Sequence, residues 1–198
     1  MFNELPDYLE QMALFAVNTG CRDGEICNLR WAWEVEIPQL GTSVFIIPGG
    51  RVKNGDERLV VLNRIARSVV QARRGIDPVQ VFTFEGHPVT RMLTSGWLRA
   101  RKRAGLEQVR VHDLKHTFGR RPRAAGVSFE DRQDLLGHRS GRITTHYLAA
   151  ELSRLLEAAN QVCESNNGQP DLLVMRGALQ GGSRKTPATA KTLLRAVS

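Results

Sequence analysis

His112 and His116 stand four residues apart, a spacing that sets two imidazoles on one helix face and would suit zinc if a glutamate stood between them. Asp113 and Lys115 occupy the intervening positions where a general-base glutamate would be sought, so the H-E-x-x-H pattern of a zinc hydrolase is absent. Gly49-Gly50-Arg51-Val52-Lys53-Asn54-Gly55 has neither the spacing nor the Ser/Thr of a phosphate-cradling loop, and no G-x-S-x-G elbow occurs. Cys21, Cys27 and Cys163 form no CxxC pair, which argues against a cysteine zinc site and a disulfide scaffold and reads as three reduced thiols. The chain is therefore expected to work with no cofactor and no metal. What remains is a set of cations and a tyrosine. His112 and Lys115, at i and i+3, share a helix face and can address the same anion. Tyr8 lies on an apolar helix stripe, which leaves Tyr147, with His138 upstream of it, as the better nucleophile. Breaking a phosphodiester without metal or ATP needs such a nucleophile, cations around the pentacoordinate phosphorus, and a proton donor for the leaving oxygen.

Thr19-Gly20-Cys21-Arg22-Asp23-Gly24-Glu25 continues to Leu29-Arg30-Trp31 and reads T-G-x-R-x-x-E-x-x-x-L-x-W. An H-x-L-R-H box follows as His112-Asp113-Leu114-Lys115-His116, then Leu136-Gly137-His138, then Thr145-His146-Tyr147. Between the first two boxes Lys53 sits in a turn ahead of a strand. In order and local setting these segments resemble the tyrosine recombinase (phage integrase) family over about residues 5–164. The resemblance implies that Tyr147 attacks a DNA phosphate to give a 3′-phosphotyrosyl link while Arg22 forks two N–H donors onto nonbridging oxygens. It also implies that Lys53 protonates the leaving 5′ oxygen, His112 assists proton transfer at the tyrosine, and His138 donates to a phosphate oxygen. Glu25 is expected to position the first box rather than touch DNA. Lys115 stands where the family has its second arginine. It keeps the charge but not the planar fork, so the implied activity is attenuated. Two other readings stay open on the residues alone, a catalytically inactive DNA-binding relic and a protein-interaction module; a type IB topoisomerase would share the chemistry.

Positioning these residues requires an ordered set of elements. Leu5, Tyr8, Leu9, Met12, Phe15 and Ala16 recur at helical spacing over residues 5–18, and a second short helix is expected from Asp23 to Trp31. Ser43 to Ile47 and Arg58 to Leu62 are β-rich runs around Pro48-Gly49-Gly50 and Asn54-Gly55-Asp56, which predicts a small antiparallel sheet. Helical patterning covers residues 63–74 and 90–104, with a short strand at residues 81–84, and four helices are expected between His112 and Glu164. Pro122 should kink or end the helix that starts near His112. His116 is read as a packed structural histidine. The expected fold is mainly α with a small antiparallel β-sheet (α+β), that of a tyrosine recombinase catalytic domain.

In 198 residues, 28 Lys and Arg against 20 Asp and Glu give a net charge of +8, which suggests an anionic partner. Apolar runs such as Ala13 to Val17 are far short of a membrane span, and no membrane partner is expected. Glu4, Asp7 and Glu10 stand where a secretory leader would be basic and then apolar, which points to a cytoplasmic setting. The clusters Arg99-Ala100-Arg101-Lys102-Arg103 and Arg120-Arg121-Pro122-Arg123 read equally as phosphate-neutralising or solvated helix faces. The chain divides into a catalytic domain at residues 1–164 and a basic tail at 165–198, where Arg176, Arg184, Lys185, Lys191 and Arg195 face Asp171 alone. The expected partners are double-stranded DNA and further copies of the chain, as a homo-oligomer assembled on that DNA.

Overall fold

The structure, a computed structural model, describes residues 1–53, 55–137 and 149–164. His138, Tyr147 and the whole of 165–198 therefore lie outside the described residues. The first helix, α1 (Asp7–Thr19), follows the predicted stripe, burying Leu9, Met12, Phe15 and Ala16 at spacings of three and four. Gly20 ends it in the left-handed conformation at φ 65°. A second, short helix, α2 (Asp23–Cys27), stops well before Trp31. The next residues pair sideways instead of continuing the helix: Trp31 N–H donates to Val79 O at 3.1 Å and Val81 N–H to Leu29 O at 3.0 Å. Those bonds also take Val81 out of the predicted strand at 81–84.

Three strands, β1 (Glu34–Ile37), β2 (Thr42–Ile47) and β3 (Arg58–Val61), form an antiparallel sheet in the order β1-β2-β3, with Glu34 opposite Phe45 and Val44 opposite Val61. Strand β1, in which the glutamates Glu34 and Glu36 alternate with Val35 and Ile37, was not foreseen. Successive residues of a strand point to opposite faces, and here both faces are covered. Phe45, Ile47 and Val60 join the cluster around α1, whereas Val44, Leu59 and Val61 join a second cluster with Phe118, Leu135 and Leu155. Burial on both sides is why β3 reads as a continuous apolar run.

Helix α3 (Arg64–Arg73) begins at the cap Asn63, whose Oδ1 accepts from Ala66 N–H at 2.9 Å. The Asn63 amide donates to Asn18 Oδ1 at 3.1 Å and so ties the start of α3 to α1. A two-residue hairpin follows, β4 (Thr83–Phe84) and β5 (His87–Pro88), turning on Glu85 and Gly86 with φ of 51° and 76°. Helix α4 (Ser95–Arg103) starts later than predicted, since the Met92 N–H is taken by Asp23 Oδ1 at 2.8 Å.

Helix α5 (Val111–Ala124) carries the second box and contains Pro122, after which it runs only two residues. A proline there removes one late hydrogen bond and coincides with the end of the helix, as expected. Helices α6 (Phe129–Leu136) and α7 (Ala149–Glu164) complete the described chain. Three helices are thus described where four were expected, and residues 138–148 fall outside the described set. All three cysteines are buried thiols outside any disulfide. Among the described residues no helix is long and apolar enough to cross a membrane.

Candidate active site

Both boxes are built on the same local device. Arg22 precedes α2 in extended conformation, and Glu25, at the third helical position, accepts its N–H at 2.8 Å through Oε2 and its Nη1 at 2.8 Å through Oε1. Arg110 precedes α5 in the same way, and Asp113 accepts its N–H and its Nη2, each at 2.9 Å. An acid at that position satisfies an orphan N–H of the first turn and simultaneously aims the arginine preceding the helix. Burial alone would raise the Glu25 carboxyl, but Arg58 and Arg22 outweigh it and hold the group below the usual carboxylate range. Glu25 is 3% exposed, and its carboxylate is taken up by Arg22 and Arg58.

The two helix starts converge on one cavity of about 390 Å³, lined by Cys21, Arg22, Arg101, Arg110, His112 and Lys115, with an apolar wall of Met92, Leu93 and Leu98. Arg22, His112 and Lys115, which are 90 or more positions apart across the two boxes, therefore meet at one site. Lys115 is 6% exposed. Its Nζ donates to Leu136 O at 3.3 Å. Burial, reinforced by the guanidinium charges of Arg58 and Arg22, lowers its pKa to about 8. His112 is exposed, and its imidazole stands edge-to-face with that of His116, centroids 4.6 Å apart. Burial, followed by the charges of His116 and Lys115, pulls His112 below the usual histidine range, so near neutral pH it is uncharged and able to accept a proton. His116 is exposed rather than packed in the core, which corrects the structural reading of it. Cys21 is not a competing nucleophile, because burial raises its thiol pKa.

Lys53 is exposed on the turn between β2 and β3 and is not among the residues that line the cavity. His138 and Tyr147 lie outside the described residues, although Gly137, immediately before His138, is described and adopts φ 63°. Among the described residues no group of three or more His, Cys, Asp or Glu is arranged to hold a metal.

The sequence reading gave Arg58 and Arg110 no role in the site and set Arg121 on the surface. Arg58, 1% exposed, donates Nη1 to Glu25 Oε2 at 2.5 Å; its signal was a lone cation heading an apolar strand. Arg110 lines the cavity, and its signal was the acid three positions later, the pattern of Arg22 and Glu25 repeated. Arg121 belongs to a cluster read as a DNA-facing candidate, yet it is buried and donates to Val17 O at 3.1 Å and Val162 O at 2.9 Å. It ties α1 to α7 and is not a phosphate ligand. Arg103 is likewise engaged, with Glu4 at 2.6 Å, while Arg99, Lys102, Arg120 and Arg123 are exposed.

Residues 3–154 match the phage integrase family. Over 175 residues the chain is 29% identical to the integrase of Salmonella phage P22, a match covering 82% of this chain and 44% of that protein. The chain thus spans less than half the length of that curated relative. Its fold is similar to that of the XerH site-specific recombinase bound to its difH substrate in a pre-cleavage complex, with a TM-score of 0.50 and 22% identity over 76% of this chain and 47% of that one.

Proposed function

The chain belongs to the phage integrase family, and from that premise we propose that it cleaves and rejoins double-stranded DNA at a specific site through Tyr147. The observation that carries the reading is the convergence of Arg22, His112 and Lys115 on one cavity from two distant segments. In the proposed reaction the Tyr147 oxygen attacks the scissile phosphorus and loses its proton toward neutral His112. The bond from phosphorus to the 5′ oxygen breaks, and Lys53 supplies the proton that makes the leaving group a hydroxyl. Arg22, Lys115 and His138 hold the charge that accumulates on the nonbridging oxygens. Attack by a 5′ hydroxyl on the 3′-phosphotyrosyl link reverses the step and releases Tyr147, so the bond is conserved without ATP. No cofactor is needed for this balance. Residues 1–164 would form the catalytic unit and 165–198 a basic tail, acting in the cytoplasm as copies assembled on DNA.

A second reading, a DNA-binding relic without turnover, draws on one observation: Lys115 spends one of its N–H donors on the Leu136 carbonyl. A suicide duplex, nicked so that the released 5′ fragment diffuses away, separates the two readings. Strand transferase activity yields a denaturant-stable protein–DNA adduct that Tyr147→Phe abolishes. A relic binds the same duplex and yields none.

A further inference from the structure

Three parts of the candidate site meet on Arg58, at the head of β3. Nη1 donates to Glu25 Oε2 at 2.5 Å and Nη2 to the carbonyl of Thr19 at 3.2 Å, so the guanidinium grips the first box at two points six residues apart. The stem packs against Gly137, where an added Cβ would stand 3.1 to 3.2 Å from Cγ, Cδ and Nε of Arg58. Among the described residues Nε itself is buried with no hydrogen-bond partner. An unpaired buried N–H on a fully buried cation is an expensive arrangement if the aim is stability alone. The carboxylate that Arg58 holds is the one that takes the N–H and Nη1 of Arg22. With Arg58 absent, the Glu25 carboxylate loses the bond that anchors it to the sheet and can rotate with Arg22.

We infer that Arg58 is a positioning residue of the strand-transfer site, one that aims the Arg22 fork through Glu25 and confronts Lys115 with a second buried cation. Its activity arm rests on the proposed strand-transfer function; its structural arm does not. The groups that face Lys115 are Arg58 from β3, Arg22 and Glu25 from the start of α2, and the Cys21 thiol just before it. His112 stands one turn away on the same helix, and Leu136 O accepts a hydrogen bond from Nζ. Burial is the largest influence on the ammonium; Arg58 and Arg22 oppose its charge, while Glu25 and Cys21 favour it. Removing the Arg58 charge should therefore make Lys115 hold its proton to higher pH.

The test compares wild type with Arg58→Lys, which keeps the cation but not the fork, and Arg58→Met, which keeps neither. Both are measured for adduct formation at saturating suicide duplex, for duplex affinity, for titration of the Lys115 amine by nitrogen-edited NMR, and for hydrogen exchange of the Arg22 guanidinium. The expected result is an adduct rate lower by on the order of 10²-fold in both variants, the loss that follows when one donor to a developing charge is misaimed, with duplex affinity little changed. Exchange at Arg22 should accelerate in both. The Lys115 titration should rise by on the order of one pH unit in Arg58→Met and stay in place in Arg58→Lys. Should Arg58→Met not fold, Arg58→Lys, which leaves Glu25 neutralised, carries the test on adduct rate and Arg22 exchange. Unaltered Arg22 exchange in Arg58→Lys, or an unmoved Lys115 titration in folded Arg58→Met, overturns the inference. Absence of adduct from the wild type itself would instead remove the proposed function, leaving exchange and titration to decide the role of Arg58.

Discussion

The Lys115 ammonium donates to the carbonyl of Leu136 at 3.3 Å, which fastens the second box to the residue just before the Gly137 corner. Where the family pattern has an arginine, this chain has a buried amine with one proton committed to backbone and a pKa of about 8.

Activity should therefore carry an alkaline limb. The ammonium helps neutralise the phosphate only while protonated, so adduct formation is expected to fall as pH rises through about 8. Lys115→Arg, which stays charged and adds a fork, should abolish that limb and raise adduct yield on the suicide duplex. An unchanged profile in Lys115→Arg would detach the limb from this residue.

The same lysine should lower stability near neutral pH. Its folded pKa is depressed, so between about pH 8 and the ordinary lysine range the unfolded chain binds more protons, and stability rises with pH across that window. Below it the buried charge costs on the order of 3 kcal/mol. Lys115→Met is expected to raise the thermal midpoint at pH 7 while losing adduct formation, a trade of activity for stability. A lowered midpoint would mean that the bond to Leu136 outweighs burial of the charge.

Glu25→Gln should destabilise the fold by about 3–5 kcal/mol, because it leaves the Arg58 cation buried and uncompensated. The Glu25 carboxyl pKa is lowered in the folded protein, so the stability it contributes is present above the ordinary carboxylate range and is lost as pH falls through the depressed value. Urea unfolding at pH 7 and at pH 3 tests both parts, and the difference between wild type and variant should shrink at the lower pH.

Gly20→Ala should cost more than ~2 kcal/mol. Gly20 sits at φ 65°, and a Cβ there would stand 2.5 Å from Cδ1 of Phe118. Combining it with Phe118→Leu should give a loss smaller than the sum of the two, since both act at one contact. Strict additivity would place the strain in the backbone alone.

DNA affinity should fall steeply between ~50 and ~200 mM salt. Arg120→Ala and Arg99→Ala, at exposed positions, are each expected to reduce the slope of log affinity against log salt by about one if they meet phosphate. Arg121→Ala should leave that slope alone and lower stability, because its donors serve Val17 and Val162 carbonyls.

Local spacing made a large part of this protein legible. The stripe of α1, the β-rich run of β2, the helical patterning over α3 and the i, i+3 relation of His112 and Lys115 all depend on residues within a few positions of one another, where local propensity and period decide the element and which side chains share a face. The first box could be read as an arginine and its supporting acid for the same reason, since Arg22 and Glu25 are three residues apart. What the sequence determined by itself, then, was most of the helices, two strands of the main sheet, the basic balance and the identity of the two boxes. Only the tertiary structure decided which cations are free to meet phosphate. Arg58 and Arg121 look like surface charges in one dimension, and each is buried by partners 33 to 104 positions away. It also ended α2 early, because Leu29 and Trp31 pair with Val79 and Val81 some fifty residues on. Lys115 is the sharpest case: its charge is written in the sequence, but its weakened hold on the proton comes from burial beside Arg58 and Arg22, which no spacing along the chain encodes.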